Sequence, residues 1–321
     1  MQRDKHPLSS FKPAPTPLRF LPRFSEVVGA PVYIKQDDCG PISWAGSKAR
    51  KVARIIDDAR KRHVEVLAMS GPAQSNSCRI LAAACAAAGI QAVLVLHGAR
   101  PEKITPGLRI LSDVQAEIRW GGYVDWAVLE ARTMAIVQDY LNNGVRAQAV
   151  AAGCSSALGV LAMVDAAREL QAQLDEAGVP RAKIVHASAS GGMHAGFRAA
   201  SLLYGTPAPH SVMIVKDIYP NVEQHYQQLT DAALASVQPE RELTEMNVAE
   251  LDWSQVGEGY EIPTEQAIEA GHLLARTEGL LVEASYTGKA LAAVVQNAAR
   301  VPGQPQVFWH SGGLPAYFQA S

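Results

Sequence analysis

Apolar runs of strand length recur along the chain at residues 32–34, 64–69, 92–96, 117–120, 147–151, 184–187 and 212–215. Between them lie stretches whose apolar positions return near a period of 3.6, which predicts helices over 48–61, 75–88, 125–142, 157–177 and 194–204. Strands buried on both faces read as continuous rather than alternating apolar runs. Their alternation with helices therefore predicts an α/β fold of parallel-rich sheets flanked by helices.

Glycine and proline punctuate this pattern at Pro41, Ser70-Gly71-Pro72, Gly121-Gly122, Gly205 to Pro209, Gly257 to Gly259 and Pro302-Gly303. Residues 229–254 are more polar and less regular, as expected of an exposed excursion rather than a separate domain. No internal repeat interrupts the 321 residues, a length sufficient for two lobes with full cores.

Composition narrows the function. A formal net charge of -2 gives no long-range attraction to nucleic acid or to anionic lipid. The basic clusters Lys48 to Lys51 and Arg60 to His63 are short and interrupted, which reads as solvated helix faces. Cys39, Cys78, Cys85 and Cys154 lack paired spacing and nearby histidines, so reduced thiols are expected and no metal site. The start, Met1 to Pro7, has no apolar stretch for secretion, and no apolar run is long enough to span a bilayer. A cytoplasmic enzyme is the expectation.

Two segments carry candidate chemistry. Lys48 lies in Trp44-Ala45-Gly46-Ser47-Lys48-Ala49-Arg50-Lys51, at a predicted loop-to-helix junction. A primary amine desolvated there could hold an aldehyde cofactor as a Schiff base, although a lysine at such a place can equally be plain surface. The second segment, Ser188-Ala189-Ser190-Gly191-Gly192-Met193, joins a predicted strand to a helix beginning near His194. Consecutive N–H groups and the helix dipole suit a phosphate; a tight turn is the competing reading. The spacing is not G-x-G-x-x-G, so a dinucleotide is disfavoured. A lone phosphate beside a candidate Schiff-base lysine points to pyridoxal 5'-phosphate. A further turn, Gln74-Ser75-Asn76, precedes an alanine-rich helix that it could cap. The same helix start could grip a substrate carboxylate while Asn76 reaches the cofactor.

Together these segments resemble the pyridoxal-phosphate family of D-cysteine desulfhydrase and 1-aminocyclopropane-1-carboxylate deaminase, within the tryptophan-synthase-β-like fold. The resemblance runs from Pro15-Thr16-Pro17-Leu18 and Ile34 to Asp38 through Gly46 to Lys51, Gln74 to Asn76 and the glycine loop to Gly196. It resumes at Gly259-Tyr260, Ala275 to Gly279, Tyr286-Thr287-Gly288-Lys289 and His310-Ser311-Gly312-Gly313. It implies a two-lobed fold (type II of the pyridoxal-phosphate enzymes): residues 1–50 and 156–321 form a larger cofactor-binding domain, and 51–155 a smaller inserted one. It implies that Lys48 holds the cofactor and shuttles the α-proton, that Asn76 bonds the phenolic oxygen, and that Ala189, Ser190, Gly191, Gly192 and Met193 hold the phosphate. Ser75 would bind the substrate carboxylate or assist proton transfer, with Gln74, Ser77 and Ser156 beside it, and Tyr260 and Tyr286 would line the substrate face. A homodimer with a small amino-acid substrate is implied, with no nucleic-acid or membrane partner.

Within the family, the deaminase has a glutamate after the tyrosine and a leucine before the final Gly-Gly, whereas this chain has Thr287 and Ser311. Neutral hydroxyls beside the pyridine nitrogen favour an unprotonated ring and a weaker electron sink. That pattern matches the desulfhydrases and implies α,β-elimination, with D-cysteine giving pyruvate, ammonia and hydrogen sulfide. The chain departs from the family at Ser47 (usually Asn), Ser77 (His), Ser156 (Asn), Met193 (Thr) and Glu283-Ala284-Ser285 (Asp-Pro-Val). Those departures keep four alternatives in view: a sulfo-lyase acting on cysteate, a β-replacement enzyme, the deaminase itself, and a cofactor-binding protein with a decayed pocket.

Overall fold

Apolar runs pair into two parallel-rich sheets. The computed structural model describes residues 15–40, 45–216, 218–238, 240 and 251–318. Pro41, Trp44, the first residues of the chain and 241–250 lie outside the described residues. In chain order the first elements are β1 (Leu18–Phe20), α1 (Pro22–Val28), β2 (Val32–Gln36) and α2 (Ser47–Lys61). The chain then builds β3 (Val66–Pro72), α3 (Asn76–Ala88), β4 (Gln91–His97), α4 (Pro106–Asp113), β5 (Glu117–Trp120), α5 (Trp126–Asn142) and β6 (Ala147–Val150). It continues with α6 (Ala157–Glu176), β7 (Lys183–Ser188), α7 (Gly192–Tyr204), β8 (Pro209–Met213), α8 (Val222–Val237) and β9 (Leu251–Asp252). The chain closes with α9 (Glu265–Glu278), α10 (Thr287–Arg300), β10 (Gln306–His310) and α11 (Leu314–Tyr317).

The four-stranded sheet, in order β5-β4-β3-β6, takes all its strands from the middle of the chain. The six-stranded sheet, β1-β2-β10-β7-β8-β9, joins both ends, because β10 inserts between β2 and β7. Phe308 is in register with Ile34 on one side and Val185 on the other. Along β10 the side chains alternate: Val307 and Trp309 enter the core that holds Phe197 and Leu170, while Phe308 enters the opposite core with Val212 and Leu291. The small sheet has its own core, in which Leu67, Met69 and Leu94 meet α2 through Val52, Ile56 and Ala59, a helical spacing of buried positions.

Two sequence expectations change. Residues 229–254 were read as exposed, but Thr230, Ala233 and Leu234 of α8 are buried, and β9 extends the large sheet beside β8. Their apolar positions are sparse because only one narrow face of α8 is covered. The cluster Lys48 to Lys51 was read as a solvated face; instead Arg50 and Lys51 are buried. Arg60 to His63, at the far end of α2, are exposed as expected.

Candidate active site

Lys48 is placed by the charge network of its helix neighbour. Arg50 Nη1 donates to Glu169 at 2.8 Å and Nη2 to Asp37 at 2.9 Å. Asp37 also accepts from Trp309 Nε1 at 3.0 Å, and that indole is shared with Ser47 Oγ at 2.9 Å. Buried charges persist only where partners surround them, so this network explains why Arg50 leaves solvent. It ties the first turn of α2 to β2, β10 and α6. Ser47 N–H donates to Ser311 O at 3.2 Å, closing the lysine turn against the C-terminal loop.

Lys48 Nζ lies 6.0 Å from the centre of the Tyr286 ring. Burial lowers its pKa, partly opposed by the Cys154 thiol, which favours the uncharged, nucleophilic amine. One turn on, Lys51 is held far below the ordinary lysine range by burial and by Lys48. Its Nζ donates to Gly153 O and Ser155 Oγ, both at 3.4 Å. Among the described residues no carboxylate faces either amine.

Lys51 points at the glycine loop. Ser155 Oγ and Ser190 Oγ are 2.9 Å apart beneath it. Gly191 takes φ 79 at the start of α7, and a Cβ there would stand 2.3 Å from the Tyr226 ring. A Cβ on Gly192 would meet Lys51 Nζ at 2.4 Å and Ser155 Oγ at 2.5 Å. Both positions therefore require glycine, one for its backbone and one for space. Tyr226, from α8, donates to Ala189 O at 2.7 Å and bonds Ser188 Oγ at 2.9 Å, bracing the loop from below. The helix begins at Gly192 rather than near His194, which brings the N–H groups of Gly192 and Met193 into the open first turn.

A cavity of about 1050 Å³ extends from this region between the two sheets. Its walls carry Lys48, Gln74, Ser75, Asn76, Ser77, Ala189 and Ser190, together with Tyr260, Tyr286 and Ser311. Gly191, Gly192 and Met193 line a small adjoining void with both lysines. A profile of the family described as "Pyridoxal-phosphate dependent enzyme" matches residues 10–312.

The chain belongs to this family.

As a member it is a pyridoxal-phosphate-dependent enzyme. A structure described as an ACC deaminase homologue superposes with a TM-score of 0.86 at 24% identity, covering 98% of this chain and 97% of that one. A pyridoxal 5'-phosphate-dependent aspartate racemase gives 0.65 at 15%, covering 95% and 92%. A fungal L-serine ammonia-lyase from Rhizomucor miehei gives 0.65 at 17%, covering 94% of each chain. These likenesses place the α/β architecture in the tryptophan-synthase-β-like fold, type II of the pyridoxal-phosphate enzymes.

The residues of this chain fit the cofactor. Lys51 is a buried amine with only long hydrogen bonds to neutral oxygens, so an anion beside it would supply the counter-charge that its protonated form lacks. The absent Cβ atoms of Gly191 and Gly192 leave room beside it, and the dipole of α7 adds positive potential. At the other end Thr287 Oγ1 donates to Gly312 O at 3.0 Å, so its contact with Ser311 Oγ at 3.2 Å takes the serine as donor. Ser311 borders the cavity and Thr287 stands behind it, so the hydroxyl pair brings no formal charge to this end of the site.

On the facing wall Ser75 caps α3, its Oγ accepting from Cys78 N–H at 3.2 Å and pairing with Ser77 Oγ at 2.8 Å. Asn76 Oδ1 accepts from Arg79 Nη2 at 2.9 Å, leaving its amide NH₂ to donate. Burial raises the pKa of both Tyr260 and Tyr286, with Glu283 adding to each, so both phenols stay protonated as donors. Ser156 is not on the cavity wall: its Oγ accepts from Gly159 N–H at 3.4 Å and caps α6.

Sequence reasoning missed Lys51, Ser155, Tyr226 and Glu283. Lys51 follows Lys48 by a helical turn, a spacing that was available as a signal. The buried Glu283 carboxylate accepts from Thr287 N–H at 2.6 Å, Tyr286 N–H at 2.8 Å and Ser285 Oγ at 2.9 Å. It holds the start of α10, and with it Tyr286, in place. Lys289 reaches back to Val256 O at 2.8 Å and Gly259 O at 3.0 Å, fastening the loop that carries Tyr260.

Proposed function

We propose that the enzyme is a lyase that eliminates a β-substituent from an amino acid, with desulfhydration of D-cysteine as the simplest case of that reaction. When bound, pyridoxal phosphate would supply an aldehyde carbon and a conjugated ring that can draw electrons from the α-carbon of a substrate amine. Lys48 would hold the aldehyde at rest, Lys51, Ser155, Ser190 and the first N–H groups of α7 would hold the phosphate, and Asn76 would donate to the phenolic oxygen. The free N–H groups at the start of α3, with Gln74, Ser75 and Ser77, would hold the substrate carboxylate. Lys48, released as a neutral amine, takes the α-proton at Nζ. Tyr260 and Tyr286, kept protonated, donate to the departing sulfur. The Cβ–S bond breaks, and water completes hydrolysis to pyruvate and ammonia.

The observation that carries elimination is the Thr287–Ser311 hydroxyl pair, where the deaminase pattern has a carboxylate and an apolar side chain. Among the described wall residues Lys48 is the only lysine and no arginine occurs, whereas Glu130, Glu261 and Glu283 are present. That charge pattern opposes a sulfonate, and with it the cysteate reading. The test is incubation with each enantiomer of cysteine, measuring pyruvate, ammonia and sulfide together, with borohydride reduction and peptide mapping alongside. Equimolar products and a pyridoxyl label on Lys48 are expected. A label elsewhere, a new amino acid in place of pyruvate, or no product from either enantiomer would overturn the reading. The homodimer is part of the same proposal, and sedimentation at the mass of a single chain would remove it.

A further inference from the structure

The cavity is large. Its volume of about 1050 Å³ stands at the top of the ~300–1,000 Å³ usual for small-ligand sites, and the void beside Gly191 and Gly192 adjoins it separately. The remaining wall is apolar and differs in character from the hydroxyl- and amide-lined end near Lys48. On one side it is Trp126 of α5; on the other it is Ile218 and Tyr219 after β8, Pro263 and Ile268 at α9, and Tyr317 of α11.

These groups are held ready. Trp126 is stacked on His97, with ring centres 5.7 Å apart and planes at 30°. Tyr219 is stacked on His225 at 3.7 Å. Tyr219 and Glu130 of α5 line the same cavity, and burial together with Glu130 pushes the Tyr219 phenol up to about 12. Ile268 and Tyr317 are 42% and 45% exposed, large apolar side chains left at the mouth of a site. The polar groups at this rim include Glu130, Glu261 and His272, and among the described wall residues no arginine and no lysine besides Lys48 occurs.

We propose that the preferred substrate is a cysteine thioether whose sulfur carries an uncharged aromatic group, seated between Trp126, Tyr219 and Ile268. Aromatic rings and aliphatic side chains lining a concave space recognise such a group by shape and by burying it. The inference rests on the elimination reading and extends it to the leaving group. For S-benzylcysteine, Lys48 removes the α-proton, the Cβ–S bond breaks with both electrons going to sulfur, and the thiolate is protonated. One water is consumed, so S-benzylcysteine and water give benzyl mercaptan, pyruvate and ammonia, with no oxidant or reductant.

The test assays holoenzyme with both enantiomers of cysteine and of S-benzylcysteine, reading pyruvate and thiol. S-Benzylcysteine is also titrated by calorimetry into Lys48→Ala protein, which cannot turn it over. The expected result is a kcat/KM about tenfold or more above that for cysteine of the same hand, the scale of filling an apolar pocket. Trp126→Ala should reduce S-benzylcysteine turnover at least fivefold more than cysteine turnover and weaken the calorimetric affinity in parallel. Ile268→Ala, at an exposed position with little bearing on folding, should do the same to a smaller degree. A preference for cysteine, or equal losses on both substrates, would overturn the proposal. Pyruvate from cysteine alone defeats only this inference; pyruvate from neither defeats the elimination reading with it.

Discussion

The two ends of the cavity are built differently. At the glycine-loop end the segment from Ala189 to Met193 is pressed between Tyr226 and Lys51, a Cβ at Gly191 or Gly192 would crowd Tyr226, Lys51 and Ser155, and α7 starts within the loop. At the opposite end Trp126, Ile268 and Tyr317 line open space, and two of them are substantially exposed. A fixed chemical group can be met by backbone and buried charge, which are rigid. A variable substituent is met by side chains, which can be exchanged without disturbing the fold. The lesson is that cofactor identity is written into packing, whereas substrate identity is written on a wall.

The strongest way to break this contrast is Gly191→Val. A β-branched residue at φ 79, with its Cβ 2.3 Å from the Tyr226 ring, should cost roughly 2–5 kcal/mol through strain and overpacking. Cofactor affinity, measured by equilibrium dialysis, should fall by about 100-fold or more; near-normal binding would show that the loop yields. Lys51→Met comes next. Losing a charged hydrogen bond of about 1.5–3 kcal/mol should weaken cofactor binding roughly 10- to 100-fold. Because burial holds the lysine well below its ordinary pKa, the cofactor-free variant should unfold at higher denaturant than the parent, as the cost of burying an ionisable amine is removed. A lower midpoint would mean that Lys51 stabilises the apoprotein and is no anion site.

A third, smaller effect concerns the floor of the cradle. His194, on the first turn of α7, and His186 both bond Ser211 Oγ, at 2.9 Å and 2.8 Å. Burial pushes both pKa values down to about 3 from 6.5. Between those values the unfolded chain binds more protons than the folded one, so stability from this pair rises with pH across the window and levels off above it. Urea midpoints should drop steadily from pH 6.5 towards 4, and His186→Phe should flatten the slope; an unchanged slope would contradict the assignment. The smallest effect is expected for Ser156→Ala. Losing a cap should cost about 1 kcal/mol of stability and leave KM within roughly twofold. A larger KM shift would restore the substrate contact that resemblance implied.

Much of the site was legible in linear order because glycine and lysine act locally: Gly46, Gly191 and Gly192 mark turns, and Lys48 follows a helix start. The helix faces of α2, α3 and α6 were legible for the same reason, since a 3.6 period needs no partner. The role of Arg50 was not, because its charge looks solvated until Asp37 and Glu169 are brought to it. The course of α8 was not either: Tyr226 matters only because it lies under a loop some thirty-five residues earlier. Thr287 and Ser311 stood out as departures from a pattern, yet their hydroxyl contact depends on β10 lying beside β2 and β7.

By itself, then, the chain's order of residues determined the alternation of elements, the parallel-rich architecture and the presence of a lysine turn and a glycine-rich turn at two helix starts. These rest on backbone propensity and on periodicity, which are short-range. Only the tertiary structure decided that the Lys51 amine is buried, that Ser156 serves a helix end, and that an apolar wall lies beyond the hydroxyl-lined end of the cavity. Burial and cavity shape arise when segments distant in sequence meet, and no single segment contains either.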